Sequence, residues 1–105
     1  MFNPKQLQKQ IEEAQKVQAE LQGALEALRV EGSAGGGMVK VTADGNGQVK
    51  AVKIEPTVVD PDDLSLLEDL VLAAVGEAQR KAREAQNEEV QRRMGGLLGG
   101  MGIGR

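Results

Sequence analysis

The chain has 105 residues, 28% of them charged, with a formal net charge of −3, a single aromatic residue (Phe2), and neither cysteine nor histidine. This inventory excludes disulfides and thiolate chemistry, and it removes the commonest general base and the commonest metal ligands. One domain is the default at this length, and the thin, alanine-rich core points to help from oligomerisation.

No apolar run reaches membrane-spanning length, and the N-terminus lacks the apolar stretch of a signal peptide. We therefore expect an intracellular soluble protein with no membrane partner.

Asn3-Pro4 opens a first helix: Asn suits the N-cap and Pro the first helical position. Over residues 4–28, Leu7, Ile11, Ala14, Leu21, Leu25 and Leu28 keep an alternating four-three spacing once Gln18 is counted in. Gly23 interrupts the segment at about 1 kcal/mol relative to Ala. Leu28–Val30 then leads into the glycine cluster Gly32–Gly37. Met38–Ala43 alternates, with Val39, Val41 and Ala43 on one face and Lys40 and Thr42 on the other. Asp44-Gly45-Asn46-Gly47 holds both favoured dipeptides of a tight hairpin turn. Gln48–Glu55 follows as a strand, with Val52 and Ile54 on its buried face.

Glu55-Pro56 ends that strand. Asp60-Pro61-Asp62-Asp63 reads as the start of a second helix, with Asp60 as N-cap, Pro61 first inside, and carboxylates facing the helix dipole. Residues 61–93 carry Leu64, Leu67, Val71, Ala74, Ala78, Ala82 and Ala85 in the helical rhythm, and Gly76 weakens it locally. We expect one domain over residues 1–94 and a flexible glycine-rich tail over 95–105.

The fold class is α+β: a small antiparallel three-stranded sheet flanked by two long helices. At about 1.5 Å per residue the helices run roughly 37 and 50 Å. Strands of about seven residues span only roughly 23 Å. The helices must overhang the sheet, and the overhang can bury its apolar seam only against another helix. The result is an arm projecting from a small body.

Catalysis has little to work with. The hydroxyls of Ser33, Thr42, Thr57 and Ser65 stand near no base in sequence, so we expect no enzyme, no cofactor and no small-molecule substrate. Asp60, Asp62 and Asp63 lack the further ligands of a calcium loop and read as helix-start grammar, so no metal is expected. Gly32–Gly37 lacks the Lys-Ser/Thr of a phosphate loop and precedes a strand, so it reads as a turn or bulge.

Charge is unevenly placed. Lys5, Lys9 and Lys16 outnumber Glu12 and Glu13 over residues 1–19, and Arg80, Lys81, Arg83, Arg92 and Arg93 outnumber Glu84, Glu88 and Glu89 over 79–93. Residues 20–78 carry eleven acidic against four basic residues. Lys5, Lys9 and Lys16 fall within an arc of about 40° on the first helix, opposite its apolar seam. Arg80 likewise sits opposite the Leu67–Val71–Ala74–Ala78 seam. If the helices pair antiparallel, both basic ends meet at the free tip of the arm. Such a field binds phosphate backbones without a sequence code. The same charges also fit an ordinary solvated helix face with i,i+4 pairs such as Glu12–Lys16 and Arg80–Glu84. Taken as an interface, the candidate DNA-binding residues are Lys5, Lys9, Lys16, Arg80, Lys81, Arg83, Arg92 and Arg93, with double-stranded DNA and a second copy of the chain as partners. The rival reading is a dimeric adaptor whose arms grip a partner protein through Gln- and Glu-rich surfaces.

The sequence resembles the YbaB/EbfC family of bacterial nucleoid-associated proteins. The resemblance is carried by Gln15–Leu21, Val30–Val41, Asp44–Gly47, Val52–Pro56 and Leu67–Val75, in that order and over nearly the whole chain. It implies a homodimer shaped like tweezers that binds DNA with helices projecting from joined sheets. It also implies a role in nucleoid organisation or gene regulation, and a place in the cytoplasm on the nucleoid.

Overall fold

The computed structural model describes residues 3–100, and only the backbone of 96–100. Helix α1 runs Pro4–Ala27, followed by strands β1 (Val30–Ala34), β2 (Val39–Ala43) and β3 (Val49–Ile54), a short 3-10 turn Pro56–Val58, and helix α2 (Leu64–Gly100). The strands form one antiparallel sheet in the order β1-β2-β3, so the fold is α+β as expected. The Cα radius of gyration is 20.3 Å and the molecule measures 73 × 30 × 16 Å. A compact domain of this size would have a radius of about 13 Å. The helices overhang the sheet as the length mismatch requires.

Helix α1 starts where the sequence says. The Asn3 side-chain oxygen accepts from the Lys5 amide at 2.9 Å, and Pro4 fills the first turn. It stops at Leu28, which is extended. The Arg29 guanidinium donates to the carbonyls of Glu26 (2.7 Å) and Leu28 (2.8 Å), placing positive charge at the negative end of the helix dipole. The end of α1 is tied to the β2–β3 turn by the Gly45 amide, which donates to the Leu25 carbonyl at 2.8 Å.

That turn is built on Asp44. Its carboxylate is 1% exposed and accepts from the amides of Asn46 (2.9 Å) and Gln48 (3.0 Å). The expected hairpin is present, with a bulge at Thr42/Ala43.

The core is one face of β1 and β2 under α2. Val39, Val41 and Ala43 are fully buried, as the alternation required, together with Val58, Ala74 and Ala78. Small residues let the layers meet closely. A Cβ on Gly32 would lie 2.3 Å from the Ala74 carbonyl oxygen, so β1 and the backbone of α2 are in direct contact there.

Four expectations need correction. First, Gly32 does not belong to a turn: Gly32, Ser33 and Ala34 form the second half of β1, and the turn is Gly35-Gly36-Gly37, all at positive φ. Secondly, Asp60 does not cap α2. Its carboxylate accepts from the Asp62 amide at 2.9 Å and its carbonyl from the Asp63 amide, which closes a separate turn. The helix begins at Leu64, directly after Asp63, whose carboxylate accepts from the Ser65 hydroxyl at 2.8 Å. Thirdly, α2 continues past Met94 to Gly100. Residues 101–105 of the expected tail lie outside the described residues. Fourthly, Val52 and Ile54 are not buried. They stand opposite Val41 and Val39 in register, hence on the helix side of the sheet, yet they are 47% and 37% exposed. The cause is the position of α2, which lies across β1 and β2 and leaves β3 uncovered.

The arm also differs in detail. The apolar seam of α1 is closed only near its C-terminal end, where Leu25 is buried. Val17 and Leu21 face Val90 and Met94 of α2 across a shallow apolar groove. Residues 3–20 are all exposed, including Leu7 and Ile11. The helices are antiparallel, but they meet over a short stretch and the start of α1 stands free.

Candidate nucleic-acid interface

Seven of the eight basic candidates fall into three levels along the arm, and Arg83 follows Arg80 and Lys81 on α2. Lys5 and Lys9 lie on the free start of α1, one turn apart and exposed. Lys16 is next to Val17, at the level where α1 meets α2 near Arg93 and Met94. Val17 is roughly 18 Å along the helix from Lys5. Among the described residues, Lys5, Lys9, Lys16 and Arg83 make no ion pair within 4 Å. Lysines held this way are free to meet an external anion.

Arg92 and Arg93 form the middle level. Both pair with Glu89, whose side chain is buried; the Arg93 Nε to Glu89 Oε1 distance is 3.0 Å. Two guanidiniums share one carboxylate, so the group keeps an excess of positive charge. A buried carboxylate needs such partners. Its ion pair with Arg93 follows the i,i+4 rule.

Arg80 and Lys81 do not reach the arm tip. They sit where α2 crosses the sheet. Arg80 pairs with Glu84 at 2.7 Å. Lys81 Nζ donates to the Glu31 carbonyl of β1 at 2.9 Å and lies 3.3 Å from Glu77 Oε1. Glu77 Oε1 also accepts from the Ser33 amide at 3.3 Å. The bond from Lys81, then that from the Ser33 amide, hold the Glu77 carboxyl below its ordinary value near 4.5. The expected gathering of all the positive charge at one tip is therefore not what the chain does: the charge is strung along the arm, with its unpaired lysines outermost.

Sequence reasoning did not single out Glu77, Glu89 or Arg29. The spacings Glu77–Lys81 and Glu89–Arg93 are visible as helical pairs. Nothing local reveals that Glu89 is buried or that Glu77 and Lys81 face β1. Among the described residues, no group of three or more acidic side chains could hold a metal ion, and no helix is long and apolar enough to cross a membrane.

A small sheet covered by one long helix, with a second helix carrying unpaired lysines away from the core, defines an α+β protein that presents charge at a distance from its body. The chain belongs to the YbaB/EbfC DNA-binding family, whose sequence profile it matches over residues 1–98. It is 46% identical over 101 residues to a nucleoid-associated protein of Saccharopolyspora erythraea, covering 93% of this chain and 87% of that one. It is 41% identical over 98 residues to a nucleoid-associated protein of Chloroflexus aurantiacus, covering 93% and 98%. The fold is shared with the crystal structure of an uncharacterized protein from Helicobacter pylori, with a TM-score of 0.73, 17% identity, and coverage of 90% of this chain and 99% of that one.

Proposed function

We propose that the chain works as a pair of copies that binds duplex DNA on the nucleoid, in the cytoplasm, through phosphate contacts along its helical arms. The observation that carries this reading is the exposure of Lys5, Lys9 and Lys16 on a projecting helix, each without an ion-pair partner among the described residues. Lysines are compact, strongly hydrated charges that suit non-directional contact with phosphates. Arg83, Arg92 and Arg93 add to the same field. Arg80 and Lys81, already engaged at the sheet, contribute less. Phe2 is the sole aromatic residue, so the arm offers no ladder for stacking unpaired bases, which favours duplex over single strands. Specificity for sequence is modest, because phosphate contacts carry none directly. The reading includes no catalytic step.

The second copy belongs on the uncovered flank. Val52 and Ile54 of β3 and a patch of Leu67, Val71, Leu72 and Val75 on α2 leave apolar area open to solvent, with Leu72 72% exposed. A chain with so thin a core gains from burying it, at roughly 25 cal/mol per Å².

A mobility-shift titration against salt tests the function. Binding that weakens linearly on a log–log plot supports phosphate contact. Binding that survives salt favours an adaptor that grips a protein through its arms, a second reading supported by the open Leu7–Ile11 seam.

A further inference from the structure

We propose that Glu77 and Lys81 close the β1 edge of the sheet to strand pairing, so that assembly through the β3 side stops at two copies. The proposal deepens the two-copy reading above and rests on it.

The sheet has two edges, β1 and β3. In an antiparallel strand, the carbonyl of one residue and the amide two places on project to the same side. In β1 the Glu31 carbonyl and the Ser33 amide form such a pair, and each is bonded to a side chain of α2 rather than to β2. Lys81 Nζ donates to Glu31 O at 2.9 Å, and the Ser33 amide donates to Glu77 Oε1 at 3.3 Å. Lys81 and Glu77 also pair with each other at 3.3 Å. Of the four outward groups of β1, the amides and carbonyls of Glu31 and Ser33, the central acceptor and donor are thus taken by two linked side chains of opposite charge. Gly32, between them, makes this geometry attainable. Its missing Cβ lets α2 approach until the Ala74 oxygen and the Ala78 nitrogen would each be 2.3 Å from that atom, which brings residues 77 and 81 over the edge.

The β3 edge has no such cover. The Glu55 amide donates inward to the Met38 carbonyl at 2.8 Å. By alternation, Val52 and Ile54 turn their amides and carbonyls outward. No side chain among the described residues bonds to them, and every residue of β3 is exposed. One edge is open and next to an apolar flank; the other is sealed by charge. An unprotected pair of edges would let sheets join without end. Sealing one of them limits the assembly to a closed pair, and it assigns Lys81 to the edge rather than to DNA.

The test is sedimentation equilibrium on the full chain, with circular dichroism to verify folding. The parent is expected at twice 11.1 kDa. The double variant Glu77→Ala/Lys81→Ala is expected to exceed that mass and to grow with concentration. Adding Ser33→Pro, which removes the outward amide nearest the middle of the edge, a position where proline is tolerated, is expected to bring the mass back to two copies. If the double variant does not fold, the single variants Glu77→Ala and Lys81→Ala carry the test, each expected above two copies. A parent dimer whose folded variants also remain dimers overturns the sealed edge and leaves the two-copy reading standing. Growth that persists with Ser33→Pro also overturns it. A parent that sediments as a single chain overturns the two-copy reading itself.

Discussion

Gly32 of β1 lies against the backbone of Ala78 in α2: a Cβ on the glycine would sit 2.3 Å from the Ala78 nitrogen and 2.9 Å from its Cα. Both neighbours are main chain, so neither can swing aside. Gly32→Ala is expected to push α2 off the sheet and to destabilise the fold by about 1–3 kcal/mol, the usual range for overpacking. Chemical denaturation measures this, and an unchanged midpoint would refute the close contact.

Asp44 organises the β2–β3 turn with an almost fully buried carboxylate. Asp44→Ala leaves the Asn46 and Gln48 amides without their acceptor. A loss of about 1.5–3 kcal/mol is expected for removing hydrogen bonds to a charged acceptor. Because Gly45 of the same turn holds the Leu25 carbonyl, the variant should also raise hydrogen exchange at the C-terminal end of α1.

DNA binding should depend unequally on the eight basic candidates. Lys5→Ala, Lys9→Ala and Lys16→Ala combined are expected to weaken duplex binding and to flatten the log–log salt slope by about 0.9 for each phosphate that is no longer neutralised. Arg80→Ala with Lys81→Ala is expected to change the slope less, since both side chains already have partners on the protein. The measurement is a mobility shift across a range of salt, with intact helices first shown by circular dichroism. A triple-lysine variant that binds like the parent, with the same slope, would remove the arm of α1 from the interface.

Leu72 is the most exposed large apolar residue on the open flank. Leu72→Lys costs the isolated chain little, because the side chain already faces water. It places a charge in the centre of the surface assigned to the second copy. The variant is expected to fold and to sediment as one chain at concentrations where the parent is paired. A paired variant would move the interface elsewhere.

Glu77 gives the fold an acid-sensitive contact. Its folded-state pKa lies below the ordinary 4.5 because Lys81 and the Ser33 amide favour the carboxylate. A lowered folded pKa contributes stability that is present above the unfolded value and is lost as pH falls through the folded one. Urea melts of the parent and Glu77→Gln should therefore differ near pH 7 and converge at pH values below 4.5. The difference is small, since the pair is accessible to solvent. A gap that widens toward acid would contradict the assignment.

Much of this architecture could be read from local chemistry. Asn3-Pro4, the Val39–Val41–Ala43 alternation and the Asp-Gly-Asn-Gly turn each encode their own structure within a few residues. What could not be read depends on how the elements meet. Asp60 and Asp63 both precede an apolar helical run, and cap grammar alone cannot say which of them closes a turn of its own. The alternation of Val52 and Ile54 shows that they share a face, but their exposure depends on which strands α2 covers. The spacing of Glu77 and Lys81 announces a helical pair; the bond from Lys81 to Glu31 crosses fifty positions of sequence. For the basic candidates, the helix face and the sign of charge were legible from spacing alone. That Arg92 and Arg93 are tethered to a buried Glu89, while Lys5 and Lys9 have no such tether, was not.

That last contrast grades the arm by stiffness. The outermost charges ride on exposed lysine stems with no ion pair among the described residues, and those nearer the body are guanidiniums braced by a sunken carboxylate. On the proposed function, a polyanion arriving from solution would meet the loose charges first, at many angles and at little cost in ordering. As it settled toward the body it would meet donors whose directions are already set. The same line of positive charge would then serve as a wide net at its outer end and a fixed cradle farther in, and the passage from one to the other would follow the length of a single pair of helices.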